Sequence, residues 1–367
     1  MHIQVNRDSF EPLYYQIREA LRMEIVQGRL QPNQRIPAEL TLAEQYGVSR
    51  ITTRQAIADL VNDGLLYRMP GKGTFVADLT NNVTRPGRKI ALILPTLSDF
   101  YGASLVSAVQ KEAKQEGVGL LLYVTNDSRE EEIHAIEDAI SHKVSGILSF
   151  PATLMLATDY HQVLQQNISL VMLDRYLPDL DCDYVVSDNF GGAYSATEHL
   201  IRLNHRQIAI ISEPINRYTT FSDRYAGYRQ VFIQHGYELP PSIMDYSTDD
   251  LERFAERLEI FIRSNKITAI FAFTDFIAMD VMSALKRIGF STPDNIAVVG
   301  FDDIVSSAYL DIPLTTVRQN MRSIGQMGAQ LLFERILQGR SQARRIVLPT
   351  ELVVRKSCGS ITDIVNK

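Results

Sequence analysis

From Ile90 onward the chain alternates short, unbroken apolar runs with amphipathic stretches, a pattern that few folds accept. The runs are IALILP, LLLYV, GILSF, LVML, YVVS, IAII, AIFAF and IAVVG. Helical periodicity lies between them, at about residues 104–116, 131–141, 191–203, 224–235, 250–263 and 277–288. A strand that shows no polar alternation must be buried on both faces, so the pattern predicts parallel sheets covered by helices on either side. A loose pseudo-repeat, with βα units before Leu173 and after Tyr184, fits two similar halves. Ligands in such sheets sit beyond the carboxyl ends of the strands.

The first eighty residues have a different texture. Residues 38–46 read as a short helix ended by Gly47. Ser49 reads as the N-cap of a second helix that runs to Asp63, where Gly64 supplies a left-handed turn. Two helices joined by a tight glycine-containing turn make a helix-turn-helix. Apolar runs at 65–69 and 74–77 then flank Pro70-Gly71-Lys72-Gly73, a hairpin that reads as a wing. On the second helix Ala56, Ile57 and Leu60, with Thr53 one turn earlier, form the inward stripe; Arg50, Thr52, Arg54 and Gln55 project from the rest of its N-terminal half. Arginine pairs bidentately with guanine edges, and threonine and glutamine reach bases or phosphates, so this stretch is expected to read double-stranded DNA. Upstream, Pro12 opens a supporting helix with Leu13, Ile17, Leu21 and Ile25 at a four-residue repeat, closed by Gly28. Residues 78–89 have linker composition.

A length of 367 residues suggests two or three domains, and 45% hydrophobic content allows real cores. The net charge is −6, yet basic and acidic residues balance over positions 1–80. DNA binding should therefore rest on a focused contact set rather than a broad basic patch. Cys182 and Cys358 have no metal-ligand spacing and read as reduced thiols; the seven histidines hold no i, i+4 ligand pair. No metal or cofactor is expected. The N-terminus has no apolar signal region and no run approaches the ~20 residues that span a bilayer, so a cytoplasmic protein is expected. HExxH, Gly-x-Ser-x-Gly and Walker sequences are absent, and the acidic pairs Asp249-Asp250 and Asp302-Asp303 are adjacent rather than opposed, so catalysis is not expected.

The first eighty residues resemble the GntR family of bacterial winged-helix regulators through PLYYQI (12–17), RIPAE (35–39), YGVSR (46–50), RQAI (54–57), LVNDGLL (60–66) and GKGTFVA (71–77). That resemblance implies DNA contacts at Arg35, Ser49, Arg50, Thr52, Arg54, Gln55, Gly71, Lys72 and Gly73. Two departures stand out: Leu40 where many members carry a DNA-touching arginine, and Thr53 where an apolar β-branched residue is usual. Residues 89–357 resemble the effector domain of the lactose- and galactose-repressor family, of type I periplasmic sugar-binding fold. The carrying stretches include LVMLDRYLP (170–178), VVSDNFGGAYSATEHLI (185–201), SDRYAGYRQVF (222–232) and TAIFAFTDFIAMDVMSALKRIGFSTPDNIAVVGFDD (268–303). By that resemblance one lobe takes about 89–188 plus 318–343 and the other about 189–317 plus 344–357, with a cleft between them. The domains expected are 1–77 for the head, 78–89 for the linker, 90–357 for the two-lobed body and 358–367 for a tail.

Polar and aromatic residues fall just after the expected strands: Asp99, Phe100 and Tyr101; Asp174 and Arg175; Thr274 and Asp275; Asp302 and Asp303. Tyr246, Arg217 and Arg224 come from intervening loops. Carboxylates and arginine hold vicinal hydroxyls through charge-assisted hydrogen bonds while an aromatic face covers a sugar ring. Asp99 and Asp275 read equally as helix caps, and Asp174 with Arg175 as a structural ion pair. Family position favours Arg224 and Asp302 as ligand contacts. The combination resembles the arabinose-repressor type, which implies a repressor released from its operator by a pentose such as arabinose. A purine or phosphorylated sugar is the alternative effector. A transporter's solute-binding component would need a signal peptide and no DNA-reading head. A homodimer is expected because two heads on two half-sites give useful specificity, and the resemblance to the lactose- and galactose-repressor family implies contacts on helices at 104–116 and 277–285.

Overall fold

The structure, a computed structural model, describes residues 12–26, 28–62, 65–69, 72–76, 88–97, 100–240, 243–246, 250–338, 340 and 342–359. The chain divides into two compact units, Met1–Gly87 and Arg88–Lys367. Among the described residues no helix is long and apolar enough to cross a membrane.

The first unit packs α1 (Leu13–Val26), α2 (Glu39–Tyr46) and α3 (Arg50–Asn62) around Ile17, Leu21, Leu42, Ala56, Ile57 and Leu60, all essentially inaccessible. Gly47, at φ 63°, ends α2 with the left-handed turn its sequence requires. Thr53 belongs to this core. Its hydroxyl donates to the carbonyls of Glu39 and Arg50, both at 3.0 Å, so the polar departure from the family pattern ties the start of α3 to the start of α2. The wing is an antiparallel pair, β1 (Leu66–Met69) and β2 (Gly73–Val76), in register from Leu66 with Val76 to Met69 with Gly73.

The second unit contains two six-stranded sheets. In one the order is β4 (Gly119–Val124), β3 (Lys89–Leu94), β5 (Gly146–Ser149), β6 (Ser169–Leu173), β7 (Asp183–Ser187) and β13 (Arg345–Leu348), parallel throughout. Helices α4 (Phe100–Gln115) and α11 (Met321–Gln338) cover one face, and α5 (Arg129–Ser141) and α6 (His161–Gln165) the other. The second sheet runs β9 (Ile243–Asp245), β8 (Ile208–Ser212), β10 (Ala269–Ala272), β11 (Ala297–Asp302), β12 (Thr315–Arg318) and β14 (Glu351–Val353). Here α7 (Asn189–Arg202) and α8 (Thr219–His235) pack one face, α9 (Leu251–Asn265) and α10 (Asp275–Arg287) the other. Most of the expected runs are strands covered on both faces, with Ile90, Ile147, Val171, Ile210, Ile270 and Val299 all fully buried, while the edge strand β4 leaves Leu122 and Val124 exposed.

The chain passes between the sheets three times, after β7, after β12 and after β13. The third passage departs from the sequence reading, which put residues 344 onward in the second lobe. Arg345–Leu348 pairs in parallel with β7, so the passage falls at residues 349–350. The second sheet is also not wholly parallel, since β14 returns antiparallel to β12. Nor does the body stop at residue 357: Cys358 is buried in the second lobe's core, and the Ser357 hydroxyl donates to Val298 O at 2.6 Å.

Asp183 fastens the return of α11 to the first lobe. Its fully buried carboxylate accepts from Arg335 Nε at 2.8 Å, from Arg340 and from the Arg344 amide at 2.6 Å. Burial alone would push this carboxyl up, but those donors outweigh it and hold the group below the usual range. We expect Asp183→Asn to lower unfolding stability by about 3 kcal/mol at neutral pH, as loss of one partner of a buried pair does. A carboxyl depressed in the folded state stabilises above its unfolded value of about 3.9 and loses that effect as pH falls through the folded value. The gap in urea midpoint between wild type and Asp183→Asn should therefore close in acid; a constant gap would make the clasp steric rather than ionic.

Candidate functional site

Strand carboxyl ends from both lobes converge on a cavity of about 690 Å³. Asp174, just after β6, and Asp302, the last residue of β11, line it from opposite lobes, together with Arg224, which lies on α8 and not in a loop as the sequence reading had it. Both aspartates hold positive φ, 62° and 121°, conformations that cost most side chains free energy and persist where the surrounding structure fixes them. Gln319 Nε2 donates to Asp302 Oδ1 at 2.8 Å, and Arg224 Nη2 stands 3.6 Å from the same oxygen. Burial pushes the Asp302 carboxyl up, Arg224 opposes this and Asp174 adds to it, leaving it at about 7.

Arg224 is held from every side. Nε donates to Asn189 Oδ1 at 2.8 Å, Nη1 donates to the Phe273 carbonyl, and the guanidinium lies 3.6 Å over the Phe301 ring. Thr274 lines the cavity and caps α10 by accepting from the Ile277 amide at 3.2 Å. Asp275 is placed differently. It is fully buried outside the cavity lining, accepting from the Thr316 hydroxyl and the Ile304 amide, so it fastens β12 and the loop after β11. Burial, reinforced by Asp302, pushes its carboxyl well up. The contrast is one of place: Asp302 ends β11 and faces the cleft, whereas Asp275 follows the cap Thr274 as the first residue of α10 and turns into the core.

Asp127, Thr153 and Tyr218, which the sequence reading did not single out, bridge the lobes beside the cavity together with Arg175 and Arg217, which it did. The Tyr218 hydroxyl donates to Asp127 Oδ2 at 3.1 Å and also bonds Thr153. Arg217 Nη2 lies 3.7 Å from the same carboxylate, and its Nη1 lies 3.4 Å from Glu213. From the first lobe, Arg175 stacks 3.7 Å over the Tyr218 ring and 4.9 Å from Phe150, and its Nη1 lies 3.6 Å from Asp127 Oδ1. Tyr246 lines the cavity with its hydroxyl on Asp280. Asp127 follows β4 as Asp174 follows β6, so the rule of looking just past each strand would have found it; Tyr218 carries no such signal. Asp99 lies outside the described residues, as do the side chains of Phe100 and Tyr101.

In the first unit Ser49 Oγ accepts from the Thr52 amide at 3.2 Å and bonds Thr52 Oγ1 at 2.8 Å, capping α3. Arg50, Arg54 and Gln55 are exposed on α3. Glu39 stands 3.6 Å from Arg50 and 3.5 Å from Arg68, and so braces two cations on one surface. Arg35 bridges to Phe75 of the wing and lies over Gly73, whose φ of 123° and lack of a Cβ admit the guanidinium. Lys72 is exposed at the hairpin, and Gly71 lies outside the described residues. The helix pair thus presents arginines, a capped N-terminus and a wing on the parts of its surface that its core leaves open.

Residues 13–76 match the family described as bacterial regulatory proteins, gntR family, and residues 197–358 match the periplasmic binding protein-like domain. The arabinose metabolism transcriptional repressor of Halalkalibacterium halodurans is 30% identical over 366 residues, covering 95% of this chain and 96% of that protein. The repressor of the same name from Geobacillus stearothermophilus is 28% identical over 364 residues, covering 95% and 98%. Among solved structures, a periplasmic binding protein/LacI transcriptional regulator from Alkaliphilus metalliredigens, complexed with D-xylulofuranose, is 25% identical with a TM-score of 0.64, covering 75% of this chain and all of that one. The chain belongs to the family of the arabinose metabolism transcriptional repressors, DNA-binding regulators that join a GntR-type head to a periplasmic-binding-protein-like domain.

Proposed function

We propose that the chain represses transcription from an operator and is released by a small neutral sugar, with arabinose or another pentose as the first candidate. The observation that carries this is the charge balance of the cleft. Arg175, Arg217 and Arg224 each already stand within 4 Å of a carboxylate, from Asp127, Glu213 and Asp302. A phosphorylated sugar needs cations to spare, whereas carboxylates and a pinned guanidinium beside aromatic rings suit hydroxyls on a ring. A relative bound to D-xylulofuranose and relatives named for arabinose metabolism support the same choice. In this reading Asp174 and Asp302 accept hydroxyls, Arg224 donates, and Phe150 and Tyr246 cover the ring's apolar side. Arg175, Arg217 and Thr274 shape the pocket around it.

On the DNA side, Arg35, Ser49, Arg50, Thr52, Arg54, Gln55, Lys72 and Gly73 make the operator contacts. The protein works as a homodimer, so that two heads meet two half-sites, and sugar binding alters their spacing. The outer side of α10 suits this contact: Met279 and Met282 line a second hollow there with Leu310. A ligand shifts the equilibrium only by its differential affinity for the two arrangements, and operator must weaken sugar binding by the same factor that sugar weakens operator binding.

Calorimetric titration of arabinose, ribose and a pentose phosphate, with and without operator duplex, tests the reading. The neutral pentose should bind, and bind less tightly on DNA; equal affinities would remove the coupling, and preference for the phosphate would reverse the effector assignment. Arg50→Ala and Arg54→Ala should each weaken specific binding by about 1–3 kcal/mol relative to scrambled duplex, while Lys72→Ala weakens all sequences alike.

Affinity for the sugar should also depend on pH. With its carboxyl at about 7, Asp302 is mostly an acid at pH 6 and mostly a carboxylate at pH 8. The charged form is the stronger acceptor, so affinity should rise severalfold, up to about tenfold, over that interval. Without ligand the sign for stability is opposite. A carboxyl raised above its unfolded value of about 3.9 favours folding fully only below that value, and the benefit is lost as pH rises towards 7. Asp302→Asn should flatten the affinity profile, and a wild-type profile already flat between pH 6 and 8 would take Asp302 out of the sugar site.

A further inference from the structure

The exposed face of α3 carries an aliphatic side chain among its polar ones. Ile51 is 80% exposed, and Leu40, at the first turn of α2, is 57% exposed. Neither belongs to the core of the first unit. Successive residues of a helix turn by about 100°, so the buried Thr53, Ala56, Ile57 and Leu60 mark one side, and Ile51 stands nearly opposite, between Arg54 and Gln55. It is also the second residue of α3, and the N-terminal residues of a recognition helix are those that meet base edges.

A large apolar side chain left in water gains nothing for the fold, and its flanking arginine and glutamine exclude an apolar protein partner on the same strip. What an aliphatic group can meet between two base-reading side chains is the C5-methyl of thymine, the one apolar feature on the major-groove floor. We propose that Ile51 is a specificity-determining residue that packs against a thymine methyl in each half-site. Leu40 leaves a second aliphatic side chain exposed, at the first turn of α2. Glu39, its neighbour, lies 3.6 Å from Arg50 and accepts from Thr53 at 3.0 Å, which sets the start of α2 against the start of α3. Where an arginine at Leu40 would add a contact to guanine or phosphate, this head reads a methyl-rich step. The inference rests on α3 being the groove-entering helix.

The test uses the full-length protein. Wild type is selected against a random duplex pool, and each thymine of the enriched duplex is then replaced singly by deoxyuridine, which removes only the methyl. One thymine in each half-site should prove sensitive, with a loss of about fourfold, the worth of one buried methyl group. Ile51→Ala, at a position too exposed to disturb folding, should bind the unmodified duplex about as weakly as wild type binds the uracil duplex, and should be indifferent to the replacement. If no thymine is sensitive, or if Ile51→Ala loses as much as wild type on methyl removal, the proposal is overturned while the reading of α3 stands on Arg54→Ala. A pool from which wild type enriches no sequence would overturn the reading of α3 and this proposal with it.

Discussion

Two sheets, parallel except for β14 and covered by helices on both faces, leave mainly their strand ends free for chemistry, and the rest of the body follows from that constraint. Helices fill both faces of each sheet, so a ligand has nowhere to bind except past the carboxyl ends of the strands. Because the chain passes three times between the lobes, these ends face one another across a cavity instead of facing solvent separately. Asp174 and Asp302 are equivalents in this sense, each following the last apolar residues of a strand and each in a positive-φ conformation. Their mutual repulsion and burial raise one carboxyl, and Arg224 sits where it limits the rise.

The same economy of position appears in the head. A helix of thirteen residues spends one side on the core and one residue, Thr53, on a hydroxyl bridge to the preceding helix. What remains is a strip of arginine, glutamine and isoleucine. Glu39 keeps Arg50 and Arg68 at one surface without neutralising the whole strip, since Arg54 takes no part in that pairing.

Much of this was legible before any coordinates. The continuous apolar runs gave eight strands and their parallel arrangement, because burial on both faces leaves an unmistakable pattern. Gly47 and Ser49 marked the turn between the reading helices, while Asp63 and Gly64, expected to end the second, lie outside the described residues. The strands that escaped notice were β9, β12, β13 and β14: they are short, and β9, β13 and β14 are only partly covered, so their burial patterns carry little periodicity. Missing β13 displaced the third lobe passage. Side-chain direction was the other limit. Position after a strand picked out Asp302 and Asp275 alike, yet only the first faces the cavity, and the pairing of Tyr218 with Asp127 joins positions 91 residues apart that no local pattern connects. Ile51 went unremarked for the opposite reason: an apolar residue is assumed to turn inward, although its angle from Thr53 and Leu60 already placed it outward.

The bridge of Asp127, Thr153 and Tyr218 joins the two lobes beside the cavity. For the lobes to part, the hydroxyl bonds from Tyr218, the contact of Arg217 with Asp127 and the bond from Thr219 to the Tyr176 carbonyl must break, and Arg175 must leave the Tyr218 ring. On the effector reading proposed above, that bridge would gate the sugar, so a change at Tyr218 or Asp127 would alter how long a ligand stays without touching a group that holds it.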